Sequence, residues 1–152
     1  MSDKDTIDLL NLTKETQKYS SFFKMNHTLI CNPTFEKASL LVGGADADVL
    51  IDNTLIEIRT ESQFGYKADH MRQLIGYYIL SLLTPSFPKI DKLAIFNPRF
   101  SRYVYITIEG INSNFDLIGF SEKIIDILLV RSSLSNKDKE MAWQSFFNKT
   151  RG

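Results

Sequence analysis

The sequence predicts an α/β fold: a mixed β-sheet flanked by helices, in the order α-β-β-β-α-β-β with further helices at the C-terminal end. Three observations predict it. Short β-branched or alternating runs occur at 49–51, 55–60, 92–96 and 103–108, each bounded by turn residues. Longer segments at 4–24 and 70–83 repeat apolar residues at helical spacing. Two apolar helical segments, 120–134 and 136–149, follow the last strand, and elements in this order pack as layers around one sheet.

The first helix, 4–24, carries Ile7, Leu10 and Phe22, widened by Leu9, Leu12, Tyr19 and Phe23. Asp3 or Asp5 stands where an N-cap is needed. Glu15 shares a face with Leu12, Tyr19 and Phe22, and an acid at the border of an apolar stripe is ordinarily solvated. A strand at 28–31 stops at Asn32-Pro33. Residues 35–42 form a short extension or covering loop, and Gly43-Gly44 lets the backbone turn closely.

Strands 49–51 and 55–60 are joined by the turn signal Asp52-Asn53. In the second, a period of two puts Leu55, Glu57 and Arg59 on one face and Ile56, Ile58 and Thr60 on the other. After a polar loop, Asp69 is the expected N-cap of a helix at 70–83. Met71, Leu74, Ile75, Tyr78, Ile79 and Leu82 point inward, and Gln73 and Tyr77 lie one turn apart on one face. Pro85 and Pro88 follow and end it. The loop 97–102 links the last two strands. Its Arg99 and Arg102, interleaved with Phe100 and Tyr103, suit a nucleic-acid contact or, more commonly, a solvated hairpin tip. Trp143, Phe146 and Phe147 make the last helix apolar enough to pack on the core or on a second subunit.

At 152 residues, 43% hydrophobic and 24% charged, the chain reads as one ordinary soluble domain, 1–152. No apolar run has membrane-spanning length and the N-terminus lacks signal-peptide regions, so the expectation is a cytoplasmic protein with no membrane association. Eighteen basic residues balance eighteen acidic ones. Neutrality argues mildly against tight nucleic-acid binding, although a local basic rim is compatible with it. The single cysteine, Cys31, excludes an internal disulfide, and its neighbours Leu29 and Ile30 predict a buried thiol. His27 and His70 form no metal pair and read as surface or capping residues. There is no phosphate-binding Gly-rich loop, Ser-His-Asp order or Cys/His zinc pattern.

The stretch 43–60 reads as a site. A hairpin there brings Asp48 beside Glu57 at the edge of an apolar core, an arrangement that is costly unless a cation lies between the acids. Mg²⁺ or Mn²⁺ accepts such a pair together with water and a substrate phosphate. In the alternative, both acids are strand-end residues paired with Arg59 or Lys67.

Asp48 followed by Glu57-Ile58-Arg59 resembles the Asp…(Asp/Glu)-X-Lys signature of the PD-(D/E)XK nuclease superfamily. Gln73-Leu74-Ile75-Gly76-Tyr77 matches the Gln-X-X-X-Tyr helix of its exonuclease branch. The likeness covers 32–83 at motif level and implies a restriction-endonuclease-like fold with metal-dependent endo- or exodeoxyribonuclease activity. It also implies that Asp48, Glu57 and the Ile58 carbonyl bind Mg²⁺ or Mn²⁺, with Glu15 as an extra acid, while Gln73 and Tyr77 support DNA or site geometry. Arg59 stands where the family has lysine. Arginine stays protonated and presents a planar fork. It can stabilise charge on a phosphate, or pair with Asp48 or Glu57 and take the metal's position. Lys67 or Arg72 then offers a substitute positive charge. If Arg59 fills the site, the chain is an inactive nuclease fold that binds nucleic acid or a protein partner, including a second copy.

Overall fold

The turn signal Asp52-Asn53 does its expected work: Asp52 adopts a positive φ of 49°, a conformation that Asn and Asp tolerate better than most residues, and the chain reverses tightly there. In the computed structural model, residues 2–18, 28–61 and 67–151 are described. Strands β1 (Leu29–Cys31), β2 (Val49–Ile51), β3 (Thr54–Ile58), β4 (Lys92–Asn97) and β5 (Arg102–Thr107) form one sheet in the order β1-β2-β3-β4-β5. β3 and β4 pair in parallel and every other neighbouring pair is antiparallel. A parallel pair needs a long crossover, and the helix α2 (Ala68–Leu83) supplies it. The remaining helices are α1 (Asp3–Lys18), α3 (Ile108–Asn112), α4 (Leu117–Arg131) and α5 (Asn136–Arg151), with 3-10 turns at Glu36–Val42 and Pro98–Phe100. The α/β class with a mixed sheet is as the sequence predicts.

Alternation in the strands sorts residues between two layers. Leu50, Leu55, Leu93 and Ile95 join the main core with Leu74 and Tyr78 of α2, Ile125 of α4 and Phe146 of α5. Val49, Ile51, Ile56, Ala94 and Phe96 form a smaller cluster on the other face. Phe35 is fully buried and stacks on Tyr77 and Phe87 at 5.4 and 5.0 Å between ring centres. Its carbonyl accepts from the buried Thr84 hydroxyl at 3.0 Å, which ties the end of α2 to the segment before the first 3-10 turn. Lys149 of α5 donates to the carbonyls of Ser81 and Thr84, both at 2.6 Å. The same carbonyls also accept the N–H groups of Thr84 at 3.3 Å and Phe87 at 3.0 Å. Burial lowers the pKa of this ammonium to about 8.

Several local expectations are corrected. The first helix is described over Asp3–Lys18; residues 19–24 and His27 lie outside the described residues. Its cap is Ser2, whose hydroxyl accepts from the Asp5 N–H at 3.3 Å while Asp5 Oδ2 accepts from the Ser2 N–H at 2.9 Å, a reciprocal box. α1 has no buried residue. It is held by Asp8, which takes two hydrogen bonds from Arg99 at 2.7 and 2.8 Å, and by Glu15, which accepts from Ser101 at 2.6 Å. Arg99 is therefore a brace, not a solvated hairpin tip. α2 begins after Lys67, and Asp69 sits within its first turn paired with Arg72, so it is not the N-cap. Residues 108–112 form a short helix capped by Thr107, whose hydroxyl accepts from Gly110 N–H at 3.0 Å. α4 starts earlier than its apolar spacing suggests because Asp116 caps it through Gly119 N–H at 2.8 Å. Cys31 is exposed, since β1 is an edge strand with no buried residue.

Phe146 is fully buried. Phe146→Ala lowers stability by about 3–5 kcal/mol, the usual cost of deleting a buried aromatic ring, as read from the urea midpoint. Met141→Ala, at a residue of the same helix that is 49% exposed, changes it by less than about 1 kcal/mol.

Candidate functional site

The β2–β3 register pairs Val49 with Ile56 and Leu50 with Leu55. One step further along the same ladder, Asp48 and Glu57 stand opposite each other on the face that carries Leu50 and Leu55. On its other side Glu57 is in register with Ile95 of β4, a core residue. The carboxyl of Glu57 thus lies between a second acid and an apolar wall, and the residue is 4% exposed.

Asp48 is fixed by backbone contacts. Its Oδ2 accepts from the Ile58 N–H at 2.7 Å, and its own carbonyl accepts from Asn32 N–H at 2.9 Å. Burial, reinforced by the Asp48 charge and opposed by Arg59, lifts the Glu57 pKa from 4.5 to about 7. Glu57 Oε1 is 2.8 Å from Arg59 Nη2. The second oxygen, Oε2, is buried with no hydrogen-bond partner among the described residues.

From Arg59 the contacts run into α2. The Arg59 N–H donates to the Phe96 carbonyl at 2.8 Å, keeping the chain beyond β3 alongside β4. Its Nη2 also donates to Gln73 Oε1, and Gln73 Nε2 donates to Tyr77 Oη at 2.6 Å. The Tyr77 ring is held in turn by its stack on Phe35. One further pair extends the row: Glu61 Oε1 is 3.0 Å from His70 Nε2, and Glu61 Oε2 is 3.0 Å from Lys67 Nζ. Alternate residues of the strand and its extension therefore meet one face of α2, with Arg59 on Gln73 and Glu61 on His70.

The structure brings together Asp48, Glu57, Arg59, Gln73 and Tyr77, with Ile58 contributing its N–H. Glu15 is engaged elsewhere. Lys18 and Ser101 each lie 2.6 Å from its carboxylate and hold its pKa below the ordinary range. Lys67 and Arg72 pair with Glu61 and Asp69 and not with the two central acids. His70 is 6% exposed, so it is neither a surface nor a capping residue. The contact of His70 with Glu61 was not anticipated. Its only signal is spacing: Glu61 continues the alternation of 57 and 59, and His70 lies one turn before Gln73.

Among the described residues no group of three or more His, Cys, Asp or Glu side chains is gathered to hold a metal. The site's oxygen donors are two carboxylates, of which Glu57 Oε2 is unclaimed. Such a set fits a hard cation that keeps several waters. Also among the described residues, no helix is long and apolar enough to cross a membrane. Comparison with known families, curated proteins and solved structures gives no match to this chain.

The raised pKa sets a sign for stability. The folded state binds a proton on Glu57 more tightly than the unfolded chain does, so its contribution is fully present below about 4.5 and is lost as pH rises to about 7. Unfolding free energy of the wild type therefore falls across that window more steeply than that of Glu57→Gln. Parallel slopes in denaturant titrations at several pH values would show that Glu57 titrates normally.

Proposed function

We propose that this chain is a divalent-cation-dependent phosphodiesterase of the PD-(D/E)XK type, acting on nucleic acid, with DNA as the expected substrate. One observation carries the reading: Glu57 Oε2 is buried, unpartnered and beside a second carboxylate. An oxygen in that position needs a proton or a cation. The element order α-β-β-β-α-β and the contact of the Glu57-Ile58-Arg59 strand with the Gln73–Tyr77 helix support the same assignment.

Asp48 and Glu57 would hold Mg²⁺ or Mn²⁺, with the Ile58 carbonyl as a further donor. When bound there, such an ion polarises the scissile phosphate and lowers the pKa of a coordinated water. The chain's own residues do the rest. To hold such an ion Glu57 would have to be ionised, so binding would strengthen as pH rises through about 7. Arg59 cannot serve as a base. Its guanidinium, pinned by Glu57 and Gln73, supplies fixed positive charge for a phosphate. Gln73 and Tyr77 are positioning residues that keep the guanidinium in place.

The 2.8 Å contact of Arg59 with Glu57 favours a second reading, in which arginine itself neutralises the acids and the domain binds nucleic acid or a protein partner without cleaving.

Calorimetric titration of Mg²⁺ and Mn²⁺ separates the two. The first reading expects binding that disappears in Asp48→Ala, whereas no binding to the wild type supports the second. Arg59→Lys then restores a group able to handle a proton, and Mg²⁺-dependent cleavage of an oligonucleotide is expected to rise on the order of 10²-fold. Cleavage that stays flat in that variant counts against phosphodiester chemistry.

A further inference from the structure

A cavity of about 400 Å³ lies between α2, α4 and the turn after the first 3-10 helix, joined to the carboxylates through Gln73 and Arg59. Such a volume falls in the range of small-molecule sites. Leu80, Ile124 and Leu128 form apolar walls, and Gln73 and Tyr77 provide its polar end. Gln73 belongs to both places, since it lines the cavity and carries Arg59.

A second observation concerns Gly76, which also lines the cavity. It sits in the middle of α2, where glycine weakens a helix and is used for a reason. The other helical glycines have one: a Cβ on Gly110 or Gly119 would strike the capping side chain of Thr107 or Asp116. Gly76 has no positive φ, and among the described residues a Cβ added there meets nothing within 4 Å. The fold does not require this glycine. Its effect is to leave the cavity floor open.

Resting on the reading of Asp48 and Glu57 as a phosphodiester site, we infer that this cavity receives the base of the nucleotide next to the scissile phosphate. A flat, largely apolar ring with a polar edge matches apolar walls ending in a side-chain amide and a phenol. A base reaches such a pocket only when it is out of the stack. The substrate is accordingly a strand with unpaired or extruded bases, and continuous duplex is disfavoured.

The test uses the full chain with Gly76→Ala and Gly76→Leu, fluorescence anisotropy with short single-stranded, duplex and abasic DNA in Ca²⁺, and thermal unfolding. The wild type is expected to bind single strands at least about tenfold more tightly than duplex or abasic strands. Gly76→Ala is expected to raise the melting temperature, since alanine favours the helix, while weakening single-strand binding. Gly76→Leu is expected to abolish the preference for a base-bearing strand. A melting temperature that falls in Gly76→Ala would overturn the assignment, because the glycine would then be structural. So would single-strand binding unchanged in both variants, or binding of abasic and base-bearing strands with equal affinity. Asp48-dependent Mg²⁺ binding alongside either of these last two results would overturn the pocket alone. Gly76-sensitive DNA binding without metal binding would sustain the pocket and remove the catalytic reading.

Discussion

The structure depends on one electrostatic arrangement: two carboxylates placed face to face at the end of a hairpin, one of them buried, with a single guanidinium against them. The hairpin register makes Asp48 and Glu57 opposite neighbours, and the parallel strand β4 presents Ile95 on the far side. Glu57 has no solvent to lean on. A buried carboxylate must be protonated, paired or metal-bound, and each solution constrains what surrounds it. Arg59 reaches back along its own strand to give partial pairing. Because that guanidinium must be steered, Gln73 and Tyr77 of the crossover helix are drawn into the same contact chain.

The placement of α2 consequently serves two purposes. One side carries core residues such as Leu74 and Ile79 against the sheet, while Gln73 meets the charged strand and Tyr77 backs Gln73. Phe35 secures the arrangement from outside the sheet. Its ring holds Tyr77 and its carbonyl takes the Thr84 hydroxyl near the other end of the helix. Lys149 adds a second hydrogen bond to the Ser81 and Thr84 carbonyls there. A helix fixed at both ends by side chains from distant segments cannot slide along its axis without breaking these contacts, so the row from Glu61–His70 to Tyr77 keeps its register.

Much of this was legible in the sequence where local chemistry dominates. Asp52-Asn53 announces the hairpin, alternation from Leu55 to Arg59 assigns the faces, and a spacing of four puts Gln73 and Tyr77 together. The failures have physical causes. Cys31 has apolar neighbours, but apolar character alone does not distinguish a central strand from the edge strand that β1 proves to be. Asp69 looks like a cap, yet its carboxylate goes to Arg72 within the first turn. The helix at 108–112 is too short to show a period. Arg99 and Asp8 are far apart in sequence, and their pairing follows only from where α1 comes to rest. His70 gave no composition signal because its burial and its contact with Glu61 follow from where α2 packs.

Among the described residues, the attachment of α1 is unlike that of the other long helices. It has no buried residue, and Ile7 and Leu10 are more than half exposed. Among the described residues, it is anchored by a half-exposed ion pair and a carboxylate–hydroxyl contact. The attraction in such an ion pair is screened over about 8 Å at physiological ionic strength, whereas hydrophobic contacts persist and even strengthen in kosmotropic salts. The same Arg99 also donates from Nε to the Thr60 carbonyl at 3.1 Å, the residue immediately after Arg59. The salt-sensitive anchor of α1 is thus the same guanidinium that holds the backbone next to Arg59, so screening by the medium bears on that backbone contact through a helix that touches neither carboxylate of the central pair.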